Sequence, residues 1–194
     1  MKKEINIVPM PSVLKIKSGV FNLDSGIAVE NTSGVADGLR AFIKDFVGIK
    51  SGKKSKSIKL ELLGKNVCKE AYSLEISEDA VVVKASAPAG IFCGVQTLKQ
   101  IIADAAGKKG DAINLQCLEI EDKPRFEWRG FMLDSSRHYQ SVDFIKRLID
   151  ALALSKINRL HWHFIDNQLW RLKTEKYPAV LIKTAAGSSL KSCL

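Results

Sequence analysis

Apolar and polar residues alternate in short runs along the first part of the chain, and this period of two predicts β-strands. The runs cover residues 5–8, 26–30, 58–63, 72–77, 80–86 and 113–120. Two further segments, 34–47 and 88–107, repeat their apolar residues at helical spacing, and Pro88 suits the first turn of the second helix. Strands in pairs with two helices predict an α+β N-terminal domain with a mostly antiparallel sheet.

The pattern changes at residues 121–125 (EDKPR), a charged joint that contains a proline. Beyond it the predicted order is a strand at 129–134, a helix at about 141–156 and a strand at 158–165. Such a strand–helix–strand unit runs its two strands parallel, with a right-handed crossover. The predicted domains are therefore 1–122 and 123–194.

The helix predicted between these two strands is amphipathic. Ser141 is a candidate N-cap, and Asp143 lies near the positive end of the helix dipole. The predicted buried stripe comprises Ile145, Leu148, Ile149 and Leu152. This stripe would face the two parallel strands.

Candidate chemistry gathers where the two parallel strands end. Asp134 and Asp166 close the strands, and Arg137 and His138 follow Asp134. Parallel strands deliver their carboxyl ends to one edge, where α/β proteins keep their active sites. The guanidinium of Arg137 suits the recognition of sugar hydroxyls, although it could equally pair with Asp134 and cap the helix. Both interpretations stay open on spacing alone.

The aromatic and imidazole side chains near the end of the chain are each open to two interpretations. His161 and His163 share one face of the second strand, but no third metal ligand is evident, so no metal site is predicted. Trp162 and Trp170 could stack on a ligand or pack in a core. No cofactor is predicted.

Composition excludes several classes of function. The net charge of +9 comes largely from lysines without interleaved aromatic residues, which indicates a basic surface rather than a nucleic-acid site. The four cysteines form no CxxC motif, so structural zinc is not predicted. No apolar run has membrane-spanning length, and the N-terminal MKKEINIVPMP has no leader-like apolar stretch.

The segment 124–178, PRFEWRGFMLDSSRHYQSVDFIKRLIDALALSKINRLHWHFIDNQLWRLKTEKYP, resembles the opening of the catalytic barrel of family 20 glycoside hydrolases, the β-N-acetylhexosaminidases. Residues 5–122, with IVPMPSV, YSLEIS and APAGIFCGVQTL, resemble the non-catalytic α+β domain of that family. The resemblance implies that the second domain is the first β-α-β of a TIM (β/α)8 barrel. From about residue 179 the sequence is no longer family-like, so the chain is expected to be truncated.

The resemblance implies substrate-assisted, retaining hydrolysis of terminal N-acetylhexosamines, without an enzyme nucleophile. It implies that Arg137 binds the outer hydroxyls of the terminal sugar and that Asp166 supports a histidine beside the catalytic acid. Asp134, His138 and His163 are expected neighbours. The catalytic Asp-Glu pair of the family is absent from the sequence, so this chain alone is expected to be inactive.

The partners that the resemblance implies are glycans containing N-acetylglucosamine or N-acetylgalactosamine, with no cofactor. An exported or periplasmic location is expected if a leader has been removed. Self-association through the incomplete barrel is also expected. The second candidate function is a non-catalytic carbohydrate-binding or interaction module derived from such an enzyme.

Overall fold

The computed structural model describes residues 5–23, 27–31, 56–63, 68–106, 113–166 and 175–176. The chain divides into two compact units. The first unit comprises Met1–Glu127 with Leu154–Lys156, and the second comprises Trp128–Ala153 with Ile157–Leu194. The domain boundary expected at residues 122–123 stays a prediction.

The first unit is built on a six-stranded sheet. Its strands are β1 (Val13–Leu23), β2 (Ala28–Asn31), β3 (Ser57–Leu62), β4 (Tyr72–Ile76), β5 (Ala80–Ala85) and β6 (Ile113–Asp122). They lie in the order β1-β6-β4-β5-β3-β2. The pairs β1–β6, β6–β4 and β4–β5 are antiparallel, as expected, whereas β5–β3 and β3–β2 are parallel. The sheet is therefore mixed, and the mostly antiparallel prediction holds for three of the five pairings.

Helix α1 (Pro88–Ala105) packs on this sheet and encloses the core. Pro88 occupies the first turn, as the sequence predicts. The helix approaches the sheet closely at Gly90, where an added Cβ would lie 2.4 Å from the backbone oxygen of Ala71. The largest fully buried side chains are Phe21, Leu23, Ile58, Leu60, Leu74, Ile76, Ile91, Leu98, Ile102, Leu115 and Leu118.

One prediction at the N-terminus is wrong, and one strand there was missed. Residues 5–8 are not a strand. The backbone of Val8 is held instead by the side chain of Gln100, whose Oε1 accepts from Val8 N and whose Nε2 donates to Val8 O, both at 2.8 Å. Strand β1, conversely, is not predicted by the pattern. The helix predicted at 34–47 lies outside the described residues.

The second unit contains the predicted strand–helix–strand arrangement: β7 (Gly130–Asp134), α2 (Val142–Leu154) and β8 (Arg159–His163). The two strands are parallel, and Asp134 pairs in register with His163. Ser141 caps the helix, since its Oγ accepts from Phe144 N at 3.2 Å.

The predicted buried stripe of helix α2 is mostly wrong. Ile145 is its one buried residue, whereas Leu148 and Leu152 are half-buried and Ile149 is 46% exposed. The two strands in the described part of this unit are too few to cover a whole helix face. No helix among the described residues is long and apolar enough to cross a membrane.

Candidate sugar-binding site

The candidate site lies at the carboxyl ends of β7 and β8. Asp134 ends β7, and Arg137 follows in the turn that leads away from that strand. His163 ends β8, and Ser135 N donates to its carbonyl oxygen at 2.9 Å, which extends the pairing beyond the strand. The ladder therefore fixes the backbone on both sides of the site.

Asp134 holds Arg137 through both backbone and side chain. Its Oδ1 accepts from the backbone N–H groups of Ser136, at 3.0 Å, and Arg137, at 3.1 Å. Its Oδ2 accepts from Arg137 Nη1 at 2.6 Å. The Arg137 guanidinium, followed by its backbone N–H, holds the pKa of Asp134 below its usual range. The same side-chain hydrogen bond raises the pKa of Arg137, so the pair stays ionised near neutral pH.

Asp166, which follows strand β8, contacts the same guanidinium. Its Oδ2 forms an ion pair with Arg137 Nη2, and His163 Nε2 lies 3.2 Å from that oxygen. The Arg137 side chain remains 63% exposed between the two carboxylates. The expected pairing with Asp134 is thus present, and it leaves part of the guanidinium accessible to a ligand. The cap of helix α2 is Ser141 rather than Arg137.

The remaining candidates take different places. His138 is exposed in the turn after Arg137, and none of the described contacts joins it to Asp134, His163 or Asp166. His161 is exposed on β8, with its ring centroid 6.5 Å from that of His163. Within the described ranges, no group of three or more His, Cys, Asp or Glu side chains could hold a metal ion. Trp170 lies outside those ranges.

Sequence reasoning missed a supporting hydroxyl beside this site. Ser135 is buried, and its Oγ accepts from Trp162 Nε1 at 2.7 Å and donates to Gln140 Oε1 at 2.6 Å. Trp162 also contacts Phe164 edge to face, with the ring centroids 4.5 Å apart. These contacts hold the Trp162 ring from one side, while the residue stays 40% exposed. The one local signal was a serine directly after the carboxylate that ends a strand.

The sequence matches one known protein family over nearly the whole chain. Residues 4–123 match "Glycosyl hydrolase family 20, domain 2", and residues 126–192 match "Glycosyl hydrolase family 20, catalytic domain". The chain belongs to glycosyl hydrolase family 20. The family resemblance and the glycoside hydrolase class that the sequence indicates are thereby confirmed.

Among curated relatives, the Beta-hexosaminidase of Porphyromonas gingivalis is 32% identical over 96% of this chain and 26% of its own length. The Beta-N-acetylhexosaminidase of Cellulomonas fimi is 38% identical over 62% of this chain and 24% of its own length. The chain thus spans about a quarter of these relatives. Both are named as hexosaminidases, which does not favour the non-catalytic module.

Solved family 20 structures share the fold. A mutant Streptomyces plicatus beta-hexosaminidase in complex with its product GlcNAc has a TM-score of 0.77 and 31% identity. This chain covers 37% of that structure, which in turn matches 89% of this chain. The fold is accordingly that of a family 20 N-terminal domain followed by part of the catalytic domain.

Proposed function

We propose that this chain is part of a β-N-acetylhexosaminidase that, in its full length, hydrolyses terminal N-acetylhexosamine residues from glycans. In this proposal β7, α2 and β8 are the first β-α-β of a (β/α)8 barrel. The parallel pairing of β7 with β8 and the position of the charged residues at their carboxyl ends support this assignment. The names of the relatives support the reaction.

The arrangement around Arg137 is the observation that carries the proposal. A guanidinium held on two sides by Asp134 and Asp166, yet more than half exposed, keeps a fixed direction while retaining N–H donors for a ligand. Sugar hydroxyls are acceptors of the right kind for such donors. We assign Arg137 to the outer hydroxyls of the terminal sugar, and Asp166 to a supporting role through Arg137 and His163.

The proposed chemistry is substrate-assisted, with the 2-acetamido oxygen of the sugar attacking the anomeric carbon and retention of configuration. An aspartate that orients the acetamide and a glutamate that protonates the leaving oxygen would act as a pair. These 194 residues contain no Asp-Glu dipeptide. A polypeptide made of these residues alone is therefore proposed to be inactive, with its Arg137 site limited to binding.

The proposed ligands are glycans ending in N-acetylglucosamine or N-acetylgalactosamine. The GlcNAc product complex of the Streptomyces plicatus relative supports the first of these. Self-association of the polypeptide is also proposed, because large apolar side chains of the second unit are exposed, including Trp128 at 72% and Met132 at 55%.

A chimaeric enzyme tests the reaction. Residues 1–178 of this chain would be followed by the corresponding remainder of the Porphyromonas gingivalis relative, which is 32% identical. We expect this chimaera to release the chromophore from an aryl N-acetyl-β-glucosaminide but not from an aryl β-glucoside, since the acetamide is the nucleophile.

Two arginine variants make the test specific for the site. Arg137→Ala should lower kcat/KM about 10- to 100-fold, because hydrogen bonds from a charged group to substrate are lost. Arg147→Ala is the matched control, since Arg147 is an exposed residue of helix α2. Equal activity in both variants would count against the proposed role of Arg137, and a folded chimaera without activity would count against the reaction.

A further inference from the structure

Lys156 is buried in the first unit, outside the candidate sugar-binding site. Its side chain is 4% exposed, and Leu154–Lys156 belong to the first unit although they follow most of helix α2 in the sequence. Its Nζ donates to Tyr72 OH at 2.8 Å and to Asp122 Oδ2 at 2.9 Å, and lies 4.9 Å from the centroid of the Tyr72 ring. A buried ammonium needs such partners to offset its desolvation.

Lys156 contacts Tyr72 on β4 and Asp122 on β6, and Thr97 on α1 contacts Tyr72; we call these three residues the ammonium socket. Tyr72 OH donates to Asp122 Oδ2 at 3.0 Å and lies 2.7 Å from Thr97 Oγ1. The other oxygen of Asp122 accepts from Ser12 N, at 3.1 Å, and Ser12 Oγ, at 3.2 Å. Each carboxylate oxygen therefore has donors, and Lys156 supplies the only cation among the contacts described for Asp122.

The backbone of Lys156 is also unusual. Its φ of 59° is the one positive value described for a residue other than glycine. A side-chain-bearing residue adopts this conformation at a cost, so it persists where the surroundings require it. A second contact anchors the same segment, since Gln100 Nε2 donates to Leu154 O at 2.9 Å. The backbone of Lys156 is therefore held in an unfavourable conformation, and this conformation places the Lys156 ammonium in the socket.

We propose that the socket of Tyr72, Thr97 and Asp122 is a recognition site for a primary ammonium group, filled in the native protein by Lys156. The segment 154–156 is then an integral part of the N-terminal unit, although the sequence places it within the catalytic domain. Without Lys156 the carboxylate of Asp122, whose side chain is only 10% exposed, has lost its counter-ion, and the ends of β4 and β6 are destabilised. An empty socket accepts a small alkylammonium ion in its place.

The test is amide hydrogen exchange in the full chain, read at β4 and β6. Lys156→Ala should accelerate exchange there about a hundredfold or more, because one partner of a buried ion pair is removed. Propylammonium chloride, which replaces the atoms removed, should slow that exchange again, whereas propanol and sodium chloride at equal concentration should not. Lys146→Ala is the matched control, because Lys146 is exposed on helix α2.

A double-mutant cycle with Lys156→Met and Asp122→Asn tests the pair independently, including the case in which Lys156→Ala does not fold. The double variant should exchange more slowly than the product of the two single effects predicts. The proposal is overturned if the two single effects simply multiply in the double variant. It is also overturned if Lys156→Ala exchanges at the wild-type rate, if propylammonium does not slow its exchange, or if propanol slows it equally.

Discussion

Arg137 and Asp166 form an ion pair across the carboxyl ends of two neighbouring parallel strands. The two residues belong to different connections of the chain, and the parallel pairing of β7 with β8 brings them to one edge. Their expected location at a common edge is thus confirmed. Asp134, at the end of β7, holds the opposite side of the same guanidinium.

The pH dependence of this arrangement follows from Asp134. Its pKa is lowered in the folded chain, first of all by the hydrogen bond from the Arg137 side chain. A carboxyl group with a lowered pKa stabilises the fold above its unfolded pKa of about 3.9, and this contribution is lost as pH falls through the lower folded value. We therefore expect Arg137 to stay held by Asp134 at pH 4.

Carboxyl-carbon NMR of Asp134 measures this directly. The titration midpoint should lie below about 3.9, and the Arg137 Nε–H signal should move with the same midpoint. Asp134→Asn should remove the part of the pH dependence of the Arg137 signal that follows Asp134, while Asp166 still contacts the same guanidinium. A midpoint at or above the usual value for aspartate would contradict the described ion pair.

The close approach of helix α1 to the sheet predicts the effect of one substitution. Gly90→Ala would place a Cβ 2.4 Å from Ala71 O and 2.7 Å from Ala85 Cβ. Because the first of these atoms belongs to the backbone, the helix has to shift, and we expect a loss of stability of about 1–3 kcal/mol. Hydrogen exchange of the β4 and β5 amides measures it. Ala103→Ser, at an exposed position of the same helix, should change little.

The sequence predicted the helices and strands of this fold better than it predicted which strands pair with each other. Helix α1 and the β7-α2-β8 unit have local signals: an N-terminal proline, and a switch from period two to helical spacing. Strand β1 lacks such a signal. Its register with β6 shifts between Ile16 and Val20, with Gly19 at a φ of +99°, so no single alternation runs through it.

Non-local features of the candidate site and the core could not be predicted from local pattern. The polarity of parallel strands was enough to bring Arg137 and Asp166 together. Nothing local indicates that Lys156 reaches Asp122, or that Ser135 accepts from Trp162, because both contacts depend on tertiary packing. The same reason explains the parallel β5–β3 pairing, which joins strands separated in sequence by β4.

Self-association of the 194-residue polypeptide should depend on exposed side chains of its second unit. Met132 and Leu160, on β7 and β8, are 55% and 37% exposed. Sedimentation velocity should show a weight-average mass that rises with concentration and falls on replacing both residues by serine, because less apolar surface is then available. A single monomeric species at every concentration would refute the expectation.

Catalysis by the same polypeptide is expected to be absent. Loss of a general acid alone lowers a rate about 10²–10⁴-fold, and these residues contain no Asp-Glu pair to polarise the acetamide and protonate the leaving group. Release of chromophore from an aryl N-acetyl-β-glucosaminide should equal the buffer rate. If the polypeptide does turn over this substrate, and the activity is lost in Arg137→Ala but kept in Arg147→Ala, then catalytic groups lie elsewhere in these residues.

Titration of the isotope-labelled polypeptide with N-acetylglucosamine, followed by NMR, tests the central claim most directly. Chemical-shift changes should cluster at Asp134, Arg137 and Asp166, with a dissociation constant in the millimolar range because few groups bind the sugar. Arg137→Ala should abolish these changes while Arg147→Ala retains them. Changes centred on the first unit, or unaltered by Arg137→Ala, would contradict the assignment of Arg137 as the sugar-binding residue.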